Sequence, residues 1–330
     1  MTVLVTGGSG FVGLNLLQLL LERGDRVVNL SLAPPPAAAQ QLFDSLPGTL
    51  QSVVGDACDA PTVERIFEGQ GIERVVHAAV ITAGPERERS DPAGIVAVNL
   101  QSVLTVLEAA RRHGVQRFVY PSSGAVYGES AYAAPVLDED ATPPRPVTLY
   151  GISKYAAERM ALRYRTLHGM DVLAARLGIV FGRWEHATGQ RDTLSAIYEL
   201  TRLARAGETA ALPNAGRRDW VYAPDVAAGL VTLLYHPQPA HAVYHVTAGR
   251  EWSAEQWCER LQTRYPDFRF RMVTDEAQAN VNLYRASFRA PLSNLRLREE
   301  TGFAARFGLD EAFADYLDWL ERYPLDNRQG

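Results

Sequence analysis

Cysteine is almost absent from this chain of 330 residues, which contains only Cys58 and Cys258. Two isolated cysteines in a chain this long indicate a reducing compartment and no disulfide framework. Neither cysteine lies in a CxxC pair or in a cluster of cysteines and histidines, so no structural zinc site is expected. On this basis we expect a cytoplasmic protein that holds no metal.

Basic runs, aromatic residues interleaved with basic ones, and membrane-length apolar runs are also missing. The formal net charge is −5 and acids and bases are interspersed, so nucleic-acid binding is not expected. No apolar run reaches the roughly 18 residues that span a bilayer, and the N-terminus has no leader pattern. We expect a soluble protein with neither a membrane nor a nucleic acid as partner.

Short apolar strands instead alternate with helices through the first half of the chain. Because the strands are apolar throughout, they indicate a parallel sheet covered on both faces. The proline- and alanine-rich stretch 33–39 is expected to be a stiff surface loop. Strands are predicted at 2–6, 26–30, 52–55, 74–79, 117–122, 172–177 and 242–246, and helices at 11–22, 61–68, 93–113 and 149–168.

The alternation of strands and helices breaks after about residue 182. With 47% hydrophobic residues, the chain can form one large core and a smaller appended unit. We predict an α/β fold with a doubly wound parallel sheet over residues 1–182. A smaller α/β substrate domain is predicted over residues 183–330, with the chain crossing back to the main sheet around 218–250.

A glycine-rich turn joins the first predicted strand to the first predicted helix. Gly7, Gly10 and Gly13 form a GxxGxxG pattern, and Phe11 and Val12 open the helix. Glycine permits the tight turn and a close approach of the backbone to a diphosphate, while the helix N-terminus offers free N–H groups. Strand, turn and helix in this order favour a dinucleotide site over a merely structural turn.

The ends of the second and third strands leave the identity of the dinucleotide open. A carboxylate after the second strand would favour NAD and an arginine NADP, but the chain has only Ser31 there, which could serve either. Asp56 and Ala57 follow the third strand. Asp56 either holds the adenine amine or caps the next helix, because Asp59 and Pro61 follow it.

Tyr150 and Lys154 are four residues apart on a predicted helix, and therefore lie on one face. A phenol titrates near pH 10, and a neighbouring cation lowers that pKa. Such a tyrosine can exchange a proton with an alcohol or a carbonyl near neutral pH. A solvated surface pair is the alternative, and the glycine turn together with Ser123 upstream favours catalysis.

Together these residues resemble the extended short-chain dehydrogenases/reductases, the group that contains nucleotide-sugar epimerases and dehydratases. The resemblance covers roughly residues 1 to 303 and implies a Rossmann-type fold with NAD or NADP as cofactor. It is carried by the segment 5–13, by His77-Ala78-Ala79, by Asn99, by the serine segment 121–128, by Tyr150 and Lys154 as a YxxxK motif, and by the segment 218–226. The segment 289–303 resembles the closing helix region of the family, without a site role for Arg289.

The resemblance implies a role for each of these residues. Tyr150 would be the acid/base, Ser123 would orient the substrate oxygen, and Lys154 would bind the nicotinamide ribose and lower the tyrosine pKa. Hydride would pass between the substrate carbon and the cofactor. Further cofactor contacts are implied for Ala78, Ala79, Asn99, Leu177 and Ile179, with Asn99 in a structural role, and substrate contacts for Thr82, Arg183, Arg191 and the phosphate-binding Arg218. For Arg183 and Arg191 a plain surface position is an equal alternative.

Two departures from the family pattern bear on the substrate. Family dehydratases carry Thr-Asp-Glu where this chain has Ser122-Ser123-Gly124, so a 4,6-dehydratase is not expected. Nucleotide-sugar epimerases usually have an asparagine where this chain has Ile179. We expect an NAD(P)-dependent enzyme acting on a secondary alcohol or ketone of a sugar or nucleotide sugar, as a 4-epimerase or a keto-reductase. The alternative is a dehydrogenase of a smaller substrate, such as a free sugar, a sugar acid or a hydroxy acid.

The resemblance also implies a homodimer formed by the two long helices, which would pair into a four-helix bundle. The candidate contacts are Leu100, Val103, Leu104, Leu107, Ala161 and Leu162, and core packing accounts equally well for some of them. A cofactor-sensing regulator without catalysis is disfavoured, because the chain keeps both Tyr150 and Lys154.

Overall fold

The computed structural model describes residues 1–283 and 289–323. Its strands are β1 Thr2–Thr6, β2 Arg26–Ser31, β3 Thr49–Val54, β4 Arg74–His77, β5 Arg117–Ser123, β6 Val172–Leu177, β7 Ile179–Phe181, β8 Thr209–Leu212, β9 Arg217–Arg218, β10 Trp220–Tyr222, β11 Val243–Val246, β12 Trp252–Ser253 and β13 Arg269–Met272. Its helices are α1 Phe11–Glu22, α2 Ala37–Phe43, α3 Ala60–Gln70, α4 Pro85–Ser90, α5 Pro92–Val96, α6 Ser102–Arg112, α7 Leu149–His168, α8 Ala196–Ala206, α9 Ala223–Tyr235, α10 Ala254–Arg264, α11 Leu295–Thr301 and α12 Leu309–Arg322. A π-helical turn at Ala97–Gln101 and 3₁₀ segments at Gly124–Tyr132 and Glu276–Gln278 complete the description.

A seven-stranded parallel sheet in the order β11-β6-β5-β4-β1-β2-β3 forms the centre of the molecule. The winding reverses at β1, which pairs with β2 on one side and with β4 on the other. In such sheets the crevice at the carboxyl ends of the strands beside the reversal is where ligands bind. The predicted doubly wound α/β fold is confirmed.

The alternation of side chains along β1 explains why the strands are apolar throughout. Val3 and Val5 pack on one face with α1 and α9, while Leu4 packs on the other face with α3, α6 and α7. Both faces are therefore covered, and no position along the strand tolerates a polar side chain facing water.

The chain after residue 182 forms smaller pairings around the carboxyl edge of the sheet. β7 pairs with β10, β9 with β12, and β8 with β13. β11 then joins the main sheet beside β6, and α9 packs against α1. Phe181, Tyr222, Trp252 and Trp257 form an aromatic cluster between these strands and α10. The chain therefore leaves the main sheet after β6 and returns to it at β11.

Two local predictions need correction. The stretch 33–39 is not a loop throughout, because α2 begins at Ala37 after Pro36, where alanines favour the helix and prolines set its entry. The helix predicted at 93–113 is made of α5, the π-helical turn and α6. The extra residue of a π turn shifts the side chains that follow it, and such turns are frequent at functional sites.

The segment Pro92–Arg112 has the length and apolar character of a membrane span, with a mean hydropathy of 1.5 over an 18-residue window. The expectation that no uninterrupted apolar run reaches about 18 residues still holds, since Asn99 and Gln101 interrupt this segment. A core helix of a folded domain meets the same criterion. Val103, Val106 and Leu107 of this segment are buried in the core beneath the sheet.

The N-terminus of α3 decides between the two interpretations of Asp56. Asp59 is the N-cap, and its side chain accepts a hydrogen bond from the Thr62 N–H at 3.1 Å. Asp56 stands outside the helix and accepts from the Cys58 N–H at 2.8 Å. The helix-cap interpretation of Asp56 is therefore wrong.

Replacing Asp59 by alanine should lower the free energy of unfolding by about 1 kcal/mol, because an N–H of the first turn loses its partner. Asp56→Ala is the matched control and should cost clearly less in chemical denaturation. Equal losses for the two variants would contradict the assignment of the cap.

Candidate cofactor and active site

The glycine turn brings the backbone of β1, α1 and β4 into direct contact. A Cβ added to Gly7, whose φ is +67°, would lie 2.7 Å from the Ala79 nitrogen. A Cβ on Gly13 would lie 2.3 Å from the Gly7 carbonyl oxygen, whereas one on Gly10 meets only that oxygen, at 3.2 Å. Gly7 and Gly13 are therefore required by close packing, while a Cβ on Gly10 would make one milder contact, at 3.2 Å.

A cleft at the carboxyl ends of β1, β2 and β4 begins at this turn. The N-cap of α1, Gly10, offers no side-chain hydrogen bond to the free N–H groups of the first turn, which leaves them available to an anion such as a diphosphate. The cleft is lined by Gly7, Ser9, Gly10, Phe11, Val12, Gly13, Leu30, Ser31, Leu32, Ala33, Gly55, Asp56, Ala57, Ala78, Ala79, Val80, Thr82, Val98, Ser102, Thr188, Gln190 and Arg191.

Most of the cofactor residues predicted from the sequence line this cleft together. Those that do not line it are Asn99, Tyr150, Lys154, Leu177 and Ile179. Several further lining residues were not predicted, and four of them show why. Leu32 and Ala33 directly follow β2 and could have been found from their position, whereas Thr188 and Gln190 come from an irregular loop with no sequence signal.

Ser31 already has partners at the end of β2. Its hydroxyl donates to Asn29 Oδ1 at 2.8 Å and accepts from the Ser9 N–H at 3.1 Å, while Asn29 Nδ2 donates to Ser9 Oγ at 3.1 Å. The hydroxyl hydrogen is thus used within the protein. Among the described residues that line the cleft the single cation is Arg191, so the end of β2 carries no cation for a 2′-phosphate.

Tyr150 lies in the first turn of α7, next to Ser123 and Thr82. The N-cap Thr148 starts the helix by accepting from the Gly151 N–H at 3.1 Å. Burial raises the pKa of the Tyr150 phenol, and hydrogen bonding with Ser123, the charge of Arg191 and hydrogen bonding with Thr82 partly oppose this. Three predicted residues, Ser123, Thr82 and Arg191, therefore converge on the phenol.

Lys154 is buried beside β5. Its Nζ donates to the Pro121 carbonyl and lies 4.3 Å from the centre of the Tyr120 ring. Burial lowers its pKa to about 7, against the opposing charge of Glu158. The ammonium faces the β5 backbone, and the groups that act on the Tyr150 pKa besides burial are Ser123, Arg191 and Thr82. The effect of Lys154 on that pKa stays a prediction.

Lys154 is also the only lysine among the 330 residues, and all other basic side chains except histidine are arginines. An amine is therefore retained at one position in a chain that elsewhere uses guanidinium groups. This signal was available from composition and points to the same residue as the YxxxK motif.

Asn99 lies in the π-helical turn and links it to two neighbouring segments. Its Oδ1 accepts from the Ile81 N–H at 2.8 Å, and its Nδ2 donates to the Ile81 carbonyl at 3.1 Å and to Ser153 Oγ at 2.9 Å. Ser153 in turn donates to the Tyr150 carbonyl. Every polar atom of the amide is thus occupied in supporting the backbone near Thr82 and Tyr150.

The loop between β7 and α8 lies across the cleft at Thr82. The Thr82 N–H donates to the Gln190 carbonyl at 2.8 Å, and the Asp192 N–H donates to the Thr82 carbonyl at 3.1 Å. Arg191 binds the buried Glu185 carboxylate at 2.9 Å, and its guanidinium lies 4.8 Å from the centre of the Phe11 ring. Arg191 is therefore fixed between the loop and the start of α1.

Arg183 occupies a different location. Its guanidinium donates to both carboxylate oxygens of Asp315 on α12, and its carbonyl accepts from Asn15 on α1. It does not line the cleft. Leu177 ends β6 directly opposite Ser123 of β5, and Ile179 pairs with Trp220 between β7 and β10.

Arg218 lies near a second arginine that sequence reasoning missed. Arg218 is 3% exposed and donates to the Leu283 carbonyl at 3.1 Å, and its pKa is lowered by burial and then by the charge of Arg289. The Nη2 of Arg289 would lie 2.7 Å from a Cβ on Gly124, the residue after Ser123. Its buried Nε has no hydrogen-bond partner within the described part of the chain. Arg289 was missed because 70 residues separate it from the segment around Arg218.

The family is established by comparison with known proteins. The model of the NAD dependent epimerase/dehydratase family matches residues 3–249. The chain belongs to this family of NAD-dependent enzymes, and the predicted extended short-chain dehydrogenase/reductase class is confirmed. NAD is thereby the cofactor, which resolves the choice that the end of β2 left open.

Individual relatives are similar along nearly their whole length. GDP-6-deoxy-D-mannose reductase of Pseudomonas aeruginosa is 30% identical over 326 residues, 96% of this chain and 97% of the relative. dTDP-glucose 4,6-dehydratase of Streptomyces niveus is 26% identical, over 99% of this chain and 94% of the relative. Among solved structures, MoeE5 in complex with UDP-glucose and NAD is 26% identical with a TM-score of 0.76, covering 98% of this chain and 99% of that one. UDP-glucose 4-epimerase of Thermus thermophilus in complex with NAD is 26% identical with a TM-score of 0.77, covering 97% and 99%.

Gly13→Ala should lower the free energy of unfolding by about 1–3 kcal/mol, because the added methyl group overlaps the backbone of the turn. Gly10→Ala is the matched control and should cost clearly less, since its Cβ would meet a single backbone atom at 3.2 Å, whereas the Cβ on Gly13 would meet three within 2.7 Å. Denaturation of both variants checks this, and a stable Gly13→Ala variant would contradict the close packing of the turn.

Proposed function

We propose that the protein is a 4-epimerase of a nucleoside-diphosphate sugar, which oxidises one secondary alcohol carbon and reduces it again. The observation that carries the substrate class is the pair of arginines beside the catalytic segment. Arg289 adjoins Gly124, and the charge of Arg289 acts on Arg218. Two guanidinium groups held this close are favourable toward a diphosphate, which can accept several charge-assisted hydrogen bonds.

The arrangement around the two arginines fits the two ends of such a substrate. On one side lie Ser123 and Tyr150, where a sugar hydroxyl would react. On the other side Leu283, whose carbonyl binds Arg218, lines a second cavity. We assign this cavity to the nucleoside, with the diphosphate between the two ends. The remaining lining residues described for this cavity are Glu199, Pro213, Glu276, Ala279, Asn280, Val281 and Asn282.

The presence of Arg289 also weakens the main argument for a smaller substrate, which is the missing amide at Ile179. Ile179 replaces the asparagine amide that nucleotide-sugar epimerases usually offer the diphosphate, which favoured a free sugar or a hydroxy acid. A second guanidinium group compensates for a single lost amide donor, because its hydrogen bonds to an anion are charge-assisted and stronger. The solved relative MoeE5, 26% identical, was crystallised with UDP-glucose and NAD.

The residues around Tyr150 suit proton exchange with an alcohol. Ser123 Oγ accepts from the Ala125 N–H at 3.1 Å, which leaves its own hydrogen to donate to the substrate oxygen. Tyr150 would take the hydroxyl proton as the alcohol is oxidised and return it as the ketone is reduced. NAD bound in the cleft would accept the hydride and give it back. Elimination of water is not supported, since the chain has Ser123 and Gly124 where dehydratases carry carboxylates.

The contacts across the cleft favour an enzyme that retains its cofactor, such as an epimerase, over a reductase. The loop that carries Gln190 and Asp192 bridges to Thr82 across the cleft, and Arg87 binds both Asp192 and the Gly189 carbonyl. Cofactor exchange at every turnover would require these contacts to open. An epimerase has no such need, because it recovers its hydride within one catalytic cycle.

The purified protein is expected to carry NAD and to convert a nucleoside-diphosphate hexose into its C4 epimer without net formation of NADH. Tyr150→Phe should slow the conversion by about 100- to 10,000-fold, because the proton acceptor is lost. Product analysis by chromatography and absorbance at the NADH band measure both. Arg289→Gln is the matched binding variant, and should weaken nucleoside-diphosphate affinity while Tyr150→Phe leaves it intact.

An empty protein that oxidises NADH in the presence of a 4-keto nucleotide sugar would replace the epimerase with a reductase. Failure of uridine, thymidine and guanosine diphosphates alike to bind in calorimetry would contradict the substrate class.

We further propose a homodimer through α5, α6 and α7. Of the dimer contacts expected from the sequence, Val103, Leu107 and Ala161 are buried in the core of the protein instead. Leu104 remains 39% exposed and Ile152 46% exposed on these helices, so they can pack against a second copy.

Leu104→Glu should convert the dimer to a monomer in light scattering, while Val54→Glu on the edge strand β3 serves as the control. A wild-type monomer would contradict this proposal.

A further inference from the structure

Three consecutive residues at the end of β5 are each held by a residue of α7. The Pro121 carbonyl accepts from Lys154 Nζ, and Ser122 Oγ donates to Glu158 Oε2 at 2.7 Å. Ser123 lies close enough to the Tyr150 phenol to oppose the rise of its pKa. The three helical positions are 150, 154 and 158, which are successive turns of one helix face. Glu158 is the one member of this set with no role so far.

Glu158 is completely buried and hydrogen-bonds with side chains of two adjacent strands, β5 and β6. Arg176 of β6 donates to its two carboxylate oxygens at 2.7 and 3.0 Å. Arg176 is the direct partner of Ser122 in the ladder between β5 and β6. One carboxylate on α7 thus binds adjacent residues of two strands, and removing it would leave Arg176 and Ser122 without their shared acceptor.

The same carboxylate is the charged group that acts on Lys154. From β4, Lys154 is faced by His77, whose pKa is lowered to about 3 by burial and then by Lys154, so this imidazole is neutral. From β5 it is faced by Tyr120, whose pKa is raised by burial. The charge of Arg176 is paired with Glu158. Glu158 opposes the loss of the Lys154 proton that burial favours.

We propose that Glu158 is a positioning residue of the reaction, which aligns the end of β5 with Tyr150 through Ser122 and places a carboxylate one helical turn from Lys154. It touches neither the substrate nor the cofactor. The inference rests on the proposed function for the roles of Ser123, Tyr150 and Lys154. Its first test requires no activity.

Because the chain has one lysine, protein labelled with ¹³C-lysine gives a single side-chain resonance, and its titration reports Lys154 alone. In Glu158→Gln the ammonium loses its favourable neighbour, so the Lys154 pKa should fall by about 1 pH unit or more. Glu108→Gln is the matched control. Glu108 also accepts a hydrogen bond from α7, at Tyr164, but on the exposed side of the helix, and its removal should leave the resonance unchanged.

A comparison of Ser122→Ala with Glu158→Gln separates the effect on position from the effect on charge. Ser122→Ala keeps the carboxylate, so the Lys154 titration should stay as in the wild type while kcat falls at least about 10-fold with little change in KM. Glu158→Gln should in addition shift the basic limb of the pH profile of kcat/KM to lower pH, since protonated Lys154 is lost earlier. A purely structural role would reduce both parameters without moving that limb.

Folding of the variants is controlled by a paired substitution. Glu158→Gln leaves Arg176 buried without an anion, so Glu158→Gln/Arg176→Gln provides a neutral pair if the single variant is unstable. A lowered Lys154 pKa in folded Glu158→Gln supports the proposal, and an unchanged pKa there overturns it. The paired variant also removes the cation of Arg176, so it tests the alignment of β5, where kcat should fall with little change in KM and an unchanged kcat contradicts the proposal. If the wild type converts no nucleotide sugar, the proposed function fails, yet the titration still decides the role of Glu158 toward Lys154.

Discussion

The buried ammonium of Lys154 is the group on which the arrangement of the active site depends. Placing a charge in a protein interior is unfavourable unless polar and charged partners surround it. Here the partners come from two elements, the Pro121 carbonyl and the Tyr120 ring from β5, and Glu158 from α7. An arginine could not replace it, because a guanidinium is larger, planar and never loses its proton under physiological conditions. The chain uses arginine everywhere else, so the lysine marks the position where a compact and titratable cation is required.

The topology of the sheet explains why residues distant in sequence meet around that group. Parallel strands deliver their carboxyl ends to one edge, so the glycine turn after β1, Ala79 after β4 and Ser123 at the end of β5 all reach the same side. Helix α7 then crosses this edge with Tyr150 in its first turn. The loop after β7 covers the edge from the other side and brings Arg191 toward Phe11 and Tyr150. The cleft and the catalytic residues are therefore consequences of strand order and not of local sequence.

Sequence reasoning succeeded where the signal is local. The bounds of β1, α1, α7 and β6 follow from apolar periodicity and caps, and the glycine turn follows from the packing of three backbones at Gly7 and Gly13. It failed where the signal is tertiary. The interactions of Arg289 with Gly124 and of Glu158 with Ser122 join segments that no spacing rule connects, and Arg183 faces Asp315 because α12 returns to that side. The burial of Lys154 and its contact with the Pro121 carbonyl were likewise not predictable from a helical interval of four.

The two arginines near the active site connect substrate binding to the same end of β5. Arg218 is buried and close enough to Arg289 for the second charge to lower its pKa, and the buried Asp219 carboxylate, 3.5 Å from Arg289 Nη2, offsets only part of this repulsion. A diphosphate between them would offset that repulsion and hold Arg289 in place next to Gly124. Because Gly124 follows Ser123, binding at the non-reacting part of the substrate would also restrain the hydroxyl that orients the reacting carbon. Binding energy from a remote group can in this way be used to align the reacting groups. Glu158 restrains the same strand end from within the protein, so β5 is fixed from both sides when the substrate is bound.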